Sequence, residues 1–206
     1  MKQPVVVIGA GGHARALIML LETAGFSVLG VYDDSFEPNN NELISGYRLM
    51  GRVADAALVQ EAKVAIAVGE NVLRAKLSQM FVDRFLVDNL IHPDSRVEGR
   101  VRLGKGNQIF ANAYVNAGAG IGDNNIINTG AIIEHEAQVG SHCHISVRAV
   151  LCGRVSVGDR SFIGAGAVII DGVSVCDDVT VGAGGVVIRD IVEPGTYVGH
   201  PVRRVK

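Results

Sequence analysis

A six-residue period governs the second half of this 206-residue chain. From Ile91 onward every sixth residue is a branched aliphatic, without exception as far as Val187. The positions are Ile91, Val97, Leu103, Ile109, Val115, Ile121, Ile127, Ile133, Val139, Ile145, Leu151, Val157, Ile163, Ile169, Val175, Val181 and Val187. A period of six matches neither the 3.6-residue turn of an α-helix nor the two-residue alternation of a flat strand. It predicts short strands separated by corners, as in a hexapeptide β-helix.

Two other positions of the repeat keep the same phase. Four residues after the aliphatic the side chain is mostly small, and the residue directly after the aliphatic is often glycine. The small residues are Ala113, Ala119, Ala131, Ala137, Cys143, Ala149, Ser161 and Ala167, and the glycines are Gly104, Gly122, Gly140, Gly158, Gly164 and Gly182. We expect the aliphatics to fill the interior and the small residues to fit the corners. Glycine then allows the backbones of successive coils to approach closely.

The first third of the chain follows an α/β pattern instead. The predicted elements are strands at 5–8, 28–32 and 64–68, a helix from His13 to Ala24 ended by Gly25, and a helix to Val82 capped by Asn71. We therefore predict a small Rossmann-like α/β domain at 1–88, followed by a β-helix domain at 89–206.

A glycine-rich loop follows the first predicted strand. Its sequence, Gly9-Ala10-Gly11-Gly12-His13-Ala14, is close to the dinucleotide fingerprint, with alanine in the third glycine position. In such a loop, backbone amides at the start of a helix approach phosphate oxygens. Asp33, at the end of the next strand, is placed to bind a ribose or sugar hydroxyl. From this motif alone, tight strand–helix packing with a solvated acidic turn is an equally good interpretation.

Charge and composition exclude several classes of function. The 19 Lys plus Arg against 21 Asp plus Glu argue against an extended nucleic-acid interface. Three cysteines do not make a disulfide framework, which favours a reducing, cytoplasmic compartment. The first apolar runs, 5–8 and 16–21, are too short for a secretion signal or a membrane span, so we expect no membrane insertion.

The combination of motifs resembles a known family, the hexapeptide-repeat acyltransferases. The Gly-Gly-His loop, Asp33-Asp34 and Ala67-Val68-Gly69, placed before the repeats, are similar to one branch of it over essentially the whole chain. That branch contains sialic-acid O-acetyltransferases and N-acetyltransferases of nucleotide-linked 4-amino-4,6-dideoxy sugars, which serve surface polysaccharide or glycan biosynthesis. The resemblance implies left-handed coils of three hexads each and a homotrimer.

The same resemblance implies the ligands and where they bind. Acetyl-CoA is the co-substrate, a nucleotide sugar is the acceptor, and no metal takes part. The α/β domain holds the nucleotide sugar through Gly11, Gly12, His13, Asp33, Asp34 and Gly69.

Acetyl transfer from a thioester to an amine needs a base, an oxyanion donor and an aligned thioester. Residues 128–136 and 151–155 resemble the family segments that supply the first two, so His135 takes the role of base and Glu136 increases its basicity. The Gly153 amide then faces the thioester carbonyl. The resemblance also places the outward-pointing His144 against acetyl-CoA, and Ala165 and Ala183 along the pantetheine arm.

The spacing of these residues predicts a shared active site. His135 and Gly153 are 18 residues apart, so they stack on neighbouring coils along one edge. His144 lies nine residues from each, half a coil away. A single chain is not expected to bring all three together, whereas the neighbouring subunit of a trimer can supply His144.

Several alternatives compete with an N-acetyltransferase. An O-acetyltransferase would share the fold and the base and differ in its acceptor. A zinc enzyme of the γ-carbonic-anhydrase kind would use His135, His142 and His144 across a subunit interface, although their spacing does not match that class. A solenoid can also be a non-catalytic scaffold. None of the cysteines has a histidine at a motif spacing, so direct transfer is favoured over an acyl-enzyme.

Overall fold

The computed structural model describes residues 2–39, 42–86 and 88–205. The chain divides into two compact units, Met1–Leu90 and Ile91–Lys206. No helix in these described ranges is long and apolar enough to cross a membrane.

The first unit is an α/β domain built on one five-stranded sheet. Its strands are β1 Pro4–Ile8, β2 Ser27–Tyr32, β3 Leu43–Ile44, β4 Tyr47–Gly51 and β5 Lys63–Ile66; its helices are α1 Gly12–Thr23, α2 Asn71–Met80 and a 3₁₀ helix at Val53–Leu58. The strand order is β3-β4-β2-β1-β5, parallel except for the β3–β4 hairpin. The hairpin was not predicted, because β3 has only two residues and carries no alternating pattern.

Two glycines set the ends of the first β–α unit. Gly9 follows β1 with φ +108°, and a Cβ on it would lie 2.8 Å from the Ala67 carbonyl oxygen, so only glycine fits. Gly25 ends α1 with φ +86°, as predicted, while the Phe26 N–H returns to the Leu21 carbonyl at 3.0 Å. This is the hydrogen bonding expected of a left-handed C-terminal glycine.

The predicted cap of α2 was wrong. The capping residue is Glu70, whose two carboxylate oxygens accept the N–H groups of Val72 and Leu73 at 2.9 and 2.5 Å. A carboxylate here satisfies two donors and also complements the positive end of the helix dipole. Asn71 is instead buried and accepts a hydrogen bond from the guanidinium of Arg74 at 2.9 Å.

The second unit is a left-handed parallel β-helix with three faces. The first face contains β6 Leu90–Ile91, β9 Gln108–Ile109, β12 Ile126–Ile127, β15 His144–Ile145, β18 Phe162–Ile163 and β21 Val179–Val181. The second contains β7 Arg96–Val97, β10 Tyr114–Val115, β13 Ile132–Ile133, β16 Val150–Leu151, β19 Val168–Ile169 and β22 Val186–Val187. The third contains β8 Arg102–Leu103, β11 Gly120–Ile121, β14 Gln138–Val139, β17 Ser156–Val157 and β20 Ser174–Val175. A final hairpin, β23 Gly195–Gly199 and β24 Val202–Arg204, joins the first face beside β21.

The predicted aliphatic column forms the interior of the β-helix. Each of these residues is the last of its strand, and in each parallel pair the aliphatic of one coil faces that of the next. From Ile109 onward none is more than 4% exposed. Burying each such side chain contributes roughly 1.5–3 kcal/mol, so the column is the main source of stability for this unit. The glycines also behave as predicted, since a Cβ on Gly122 would lie 2.7 Å from the carbonyl oxygen of Gly140.

A third periodic position, three residues after each aliphatic, adopts the left-handed backbone conformation. It recurs every six residues with positive φ from Arg100 to Gly184. The residues are Arg100, Gly106, Asn112, Gly118, Asn124, Gly130, Glu136, His142, Arg148, Arg154, Arg160, Gly166, Gly172, Asp178 and Gly184. A left-handed residue other than glycine costs roughly 1–2 kcal/mol, which the closed interior must offset. Glu136 and Arg154, which flank the predicted His135 and Gly153, both hold this conformation.

Candidate active site

In the α/β unit, Asp33 joins two loops at the carboxyl edge of the sheet. Its Oδ2 accepts the Ala10 N–H at 2.9 Å, and its Oδ1 accepts the N–H and hydroxyl of Ser35 at 2.9 and 2.5 Å. Partial burial by itself would raise the pKa of Asp33, but the hydrogen bonds from Ser35 and Ala10 outweigh it and hold the pKa below its ordinary value. Asp33 is therefore an anion at neutral pH that fixes the glycine loop against the loop after β2.

A cavity of about 310 Å³ opens beside Asp33. It is lined by Ala10, Gly11, Asp33, Ser35, Glu42, Ile44 and Leu49. The cavity lies beyond the carboxyl ends of β1 and β2, where open α/β sheets bind their ligands. Gly11 and Gly12 begin α1, and no atom stands within 4 Å of where their Cβ atoms would be. Both glycines are exposed, so an anion can approach the amides at the start of this helix.

The other predicted residues of this unit are not part of the cavity lining. His13 is half-buried in the first turn of α1. Asp34 is exposed, and its carboxylate accepts the N–H of Val53 at 3.1 Å, which holds the 3₁₀ helix. The carbonyl of Gly69 accepts a hydrogen bond from Arg74 at 3.2 Å. Glu42 was missed by the sequence reasoning, because it precedes the unpredicted hairpin.

A larger cavity in the same unit, of about 380 Å³, contains none of the predicted residues. Its lining is Ala54, Ala57, Gln60, Met80, Phe81, Asp83 and Arg84. The guanidinium of Arg84 donates to the carbonyls of Ala56, Ala57 and Ala62. These bonds tie it to the backbone, so volume alone does not make this cavity the better candidate.

In the β-helix unit, His135 and Gly153 stack along the edge between the second and third faces. Both follow strands of the second face, β13 and β16. A Cβ on Gly153 would stand 2.5 Å from Cε1 and 2.7 Å from Nε2 of His135. The imidazole therefore lies directly against the Gly153 backbone, in the space that any other residue would fill. The 18-residue spacing predicts this arrangement.

Carboxylates surround the backbone and ring of His135. Glu136 Oε2 lies 3.5 Å from Nδ1, with the histidine and glutamate side chains 49% and 65% exposed. A pair this exposed contributes little stability but orients the ring. Glu134 Oε2 accepts the His135 N–H at 3.3 Å and the side-chain amide of Asn116 at 2.6 Å.

Gly153 is a buried glycine whose amide has no protein acceptor within the described part of the chain. Its carbonyl, in contrast, accepts the Gly172 N–H at 2.9 Å. The unpaired N–H of Gly153 lies on the same edge of the β-helix as the His135 ring.

His144 lies elsewhere on the solenoid. It belongs to β15 on the first face, across the prism from the edge that carries His135. It is only 8% exposed, receives a hydrogen bond from the Asn128 amide at 3.1 Å, and meets the ring of Phe162 edge-on at a centroid distance of 5.1 Å. Alternation turns it away from the interior, as expected, but it is not a freely solvated surface residue.

Ala165 and Ala183 stack on the edge between the first and second faces. They follow β18 and β21, and the Gly184 N–H donates to the Ala165 carbonyl at 2.8 Å. Gly166 and Gly184 on this edge have open space around them. The predicted acetyl-CoA residues therefore fall into two groups within one chain, because Gly153 lies on the other edge with His135.

The three histidines of the zinc alternative do not converge. His142 occupies the edge between the third and first faces and meets the Asn124 amide at 3.0 Å. His135 and His144 lie on another edge and on the first face. The described residues contain no group of three metal-ligating side chains. The three histidines therefore form no zinc site within one chain.

The cysteines do not provide an activated nucleophile. Cys143 is buried, and its thiol donates to the Gly158 carbonyl at 3.0 Å. Burial, followed by the nearby charges of Asp171 and Glu134, raises the pKa of Cys152. Burial also raises the pKa of Cys176. Protonated thiols are poor nucleophiles, which favours direct transfer.

Family models match both parts of the chain. The model described as the PglD N-terminal domain matches residues 4–81, and that of the hexapeptide repeat of succinyl-transferase matches residues 154–189. An uncharacterised protein of Acanthamoeba polyphaga mimivirus is 29% identical over 113 residues. That match includes 55% of this chain but only 22% of the viral protein.

Solved structures match along the full length. PerB from Caulobacter crescentus, in complex with CoA and GDP-perosamine, is 37% identical, with a TM-score of 0.91 over 100% of this chain and 99% of that one. The acetyltransferase domain of PglB from Neisseria gonorrhoeae, in complex with acetyl coenzyme A, is 30% identical, with a TM-score of 0.89 over 100% of both chains. WeeI from Acinetobacter baumannii is 20% identical, with a TM-score of 0.87 over 99% of this chain and 100% of that one, and supports the fold alone.

Proposed function

Because this chain belongs to the sugar N-acetyltransferase branch of the hexapeptide-repeat acyltransferases, we propose that it moves an acetyl group from acetyl-CoA to a nucleotide-linked 4-amino-4,6-dideoxy sugar. The amine at position 4 of the sugar is the acceptor. Two solved structures support this proposal: PerB is in complex with CoA and GDP-perosamine, and the PglB domain is in complex with acetyl coenzyme A. An amino sugar as ligand favours an amine acceptor over the hydroxyl acceptor of a sialic-acid O-acetyltransferase.

The α/β unit supplies the nucleotide-binding residues. The open amides of Gly11 and Gly12 suit the phosphates, and the ionised Asp33 beside the cavity suits hydroxyl groups. His13, Asp34 and Gly69 complete the proposed set at the same loop ends.

The observation that carries the proposed chemistry is the imidazole of His135 resting against Gly153. With Nδ1 turned toward Glu136, Nε2 is the nitrogen left to act as base. The amine nitrogen attacks the thioester carbonyl carbon, and the electron pair of the C=O bond moves to oxygen, where the Gly153 N–H stabilises it. Nε2 takes the proton from nitrogen. The intermediate collapses, the C–S bond breaks, and the imidazolium returns the proton to the departing CoA sulfur.

The separation of the two residue groups supports an active site completed by a homotrimer. His144, Ala165 and Ala183 lie on the first face and its edge with the second, away from His135. The second face also presents a column of half-buried apolar side chains: Tyr114, Ile132, Val150, Val168 and Val186. Such a column suits packing against another copy of the chain. The three free thiols suit the reducing cytoplasm that we propose as its location.

The proposed function is tested with purified protein, acetyl-CoA and a panel of UDP-, GDP- and dTDP-linked 4-amino sugars. We expect release of CoA thiol with one nucleotide series, together with a product heavier by one acetyl group. The matching 4-hydroxy sugars are the control, and they should give no product. Acetylation of the hydroxyl sugars alone would instead identify an O-acetyltransferase.

A further inference from the structure

Besides His135, a second side chain borders the space next to Gly153, and the sequence did not indicate it. The point where a Gly153 Cβ would stand lies 2.7 Å from His135 Nε2 and 2.8 Å from Asp171 Oδ1. Asp171 belongs to the next coil, 18 residues after Gly153, on the same edge. The proposed base and a carboxylate oxygen therefore border one small space, which exists because residue 153 has no side chain.

Asp171 is held in this orientation by a neighbour. Its Oδ2 pairs with the guanidinium of Arg154, which leaves Oδ1 on the side of His135. Arg154 is in turn fixed by its left-handed backbone, with φ 58°, and by its N–H, which donates to the His135 carbonyl at 3.0 Å. Asp171 is 51% exposed, so a ligand can reach it.

We propose that Asp171 binds the acceptor amine and stabilises its positive charge beside His135. This inference rests on the proposed function. An aliphatic amine is largely protonated near neutral pH, so the sugar arrives as an ammonium. The ammonium releases one proton to solvent before its neutral nitrogen attacks. Its nitrogen carries a positive charge again after attack on the thioester, before the proton passes to Nε2. A carboxylate oxygen bordering the same space as Nε2 favours both charged forms.

The contact is tested by pairing a change in the protein with a change in the ligand. Asp171→Asn keeps the size of the side chain and removes its charge. Calorimetry then measures how much more tightly each protein binds the 4-amino nucleotide sugar than its 4-hydroxy counterpart. For a half-exposed charge pair we expect Asp171→Asn to lower this ratio of affinities roughly threefold to fivefold, with acetyl-CoA binding unchanged. A merely structural role would weaken both sugars equally and leave the ratio unchanged.

Asp177→Asn is the matched control. Asp177 is a 56% exposed aspartate that also pairs with an arginine, Arg160, but on the edge between the third and first faces. It should leave the ratio unchanged. If the unsubstituted protein binds and acetylates the amino sugar while Asp171→Asn retains the full ratio, the proposed contact is wrong and the proposed function stands. If the unsubstituted protein neither binds nor acetylates any amino sugar of the panel, the proposed function fails and this inference fails with it.

Discussion

Replacing Gly153 with alanine should remove activity while leaving the fold intact. The added methyl would stand 2.5 Å from Cε1 and 2.7 Å from Nε2 of His135, whereas an ordinary contact begins near 3.4 Å. The ring must therefore move by about 1 Å, and a misplacement of that size costs about 10²-fold in rate. The same methyl would stand 2.8 Å from Asp171 Oδ1, so that carboxylate must shift as well. The Gly153 N–H is retained in the variant, so the loss would report the displacement of these two side chains rather than removal of the oxyanion donor.

The stability of Gly153→Ala should change little, for two structural reasons. The obstructing atoms belong to two half-exposed side chains, His135 and Asp171, that can rotate into solvent. Ala117 occupies the same position on the preceding coils of this edge, and Gly153 has no positive φ, so the backbone accepts a Cβ. Replacing glycine by alanine at a compatible site stabilises by about 0.4–1 kcal/mol through the unfolded state, which offsets the lost imidazole contact. We expect the free energy of unfolding to stay within about 1 kcal/mol of the original.

Gly99→Ala and Gly104→Ala are the two controls. Gly99 lies on the same edge as Gly153 with nothing within 4 Å of its Cβ position, so its variant should keep both activity and stability. A Cβ on Gly104 would stand 2.6 Å from the carbonyl oxygen of Gly122, a backbone atom that cannot rotate away, so this variant should lose stability. The assays are thiol release from acetyl-CoA and urea unfolding. If Gly153→Ala keeps activity within a few-fold of the original, the placement of His135 as base is wrong. If its free energy of unfolding falls by several kcal/mol, this edge is not energetically separate from the core.

Three further predictions concern the base, the trimer and the acceptor unit. His135→Ala should lower turnover by roughly 10² or more, with an unchanged melting temperature, since the side chain is half-exposed. Mixed trimers of His135→Ala and His144→Ala subunits, each inactive alone, should regain some activity; no recovery from well-formed mixtures, or a monomer in light scattering, would exclude a shared site. Asp33→Asn should weaken nucleotide-sugar binding in calorimetry without affecting acetyl-CoA. Because folding lowers the pKa of Asp33, its contribution to stability is present above about pH 4 and is lost as the pH falls through the lowered value. The free energy of unfolding of Asp33→Asn, measured in urea, should therefore vary less with pH in that range than that of the original protein.

The interior of the β-helix was predictable because a single physical requirement recurs. Each strand of a coil places one branched aliphatic side chain in the dry interior. The six-residue period is therefore visible in the sequence. The left-handed corner position is just as regular in the backbone. It remained hidden because Arg, Asn, Glu, His, Asp and Gly all occupy it. Polar side chains in contact with solvent can adopt the left-handed conformation, so this position gives no hydropathy pattern in the sequence.

The candidate site was predictable only in part, for a related reason. The 18-residue spacing was enough to place His135 against Gly153. Asp171 has the same spacing from Gly153, but nothing in the sequence separates it from aspartates on the other edges, such as Asp177. In the α/β unit the lining residue Glu42 precedes a hairpin too short to give a pattern, and its place at the cavity follows from tertiary structure alone.

The solenoid separates the residues that make the fold from those that make the site. Ile133 and His135 are two positions apart, yet the first is completely buried and the second half-exposed. Truncating a buried Ile to Ala costs about 2–5 kcal/mol, whereas an edge residue fills no core. Residues that are 18 positions apart occupy equivalent places on one edge, but their side chains differ. On this edge they are Ala117, His135, Gly153 and Asp171. The base, the oxyanion donor or the carboxylate on such an edge can be substituted one coil at a time. Each substitution leaves the buried aliphatic column intact, and that column offsets the cost of the left-handed corners.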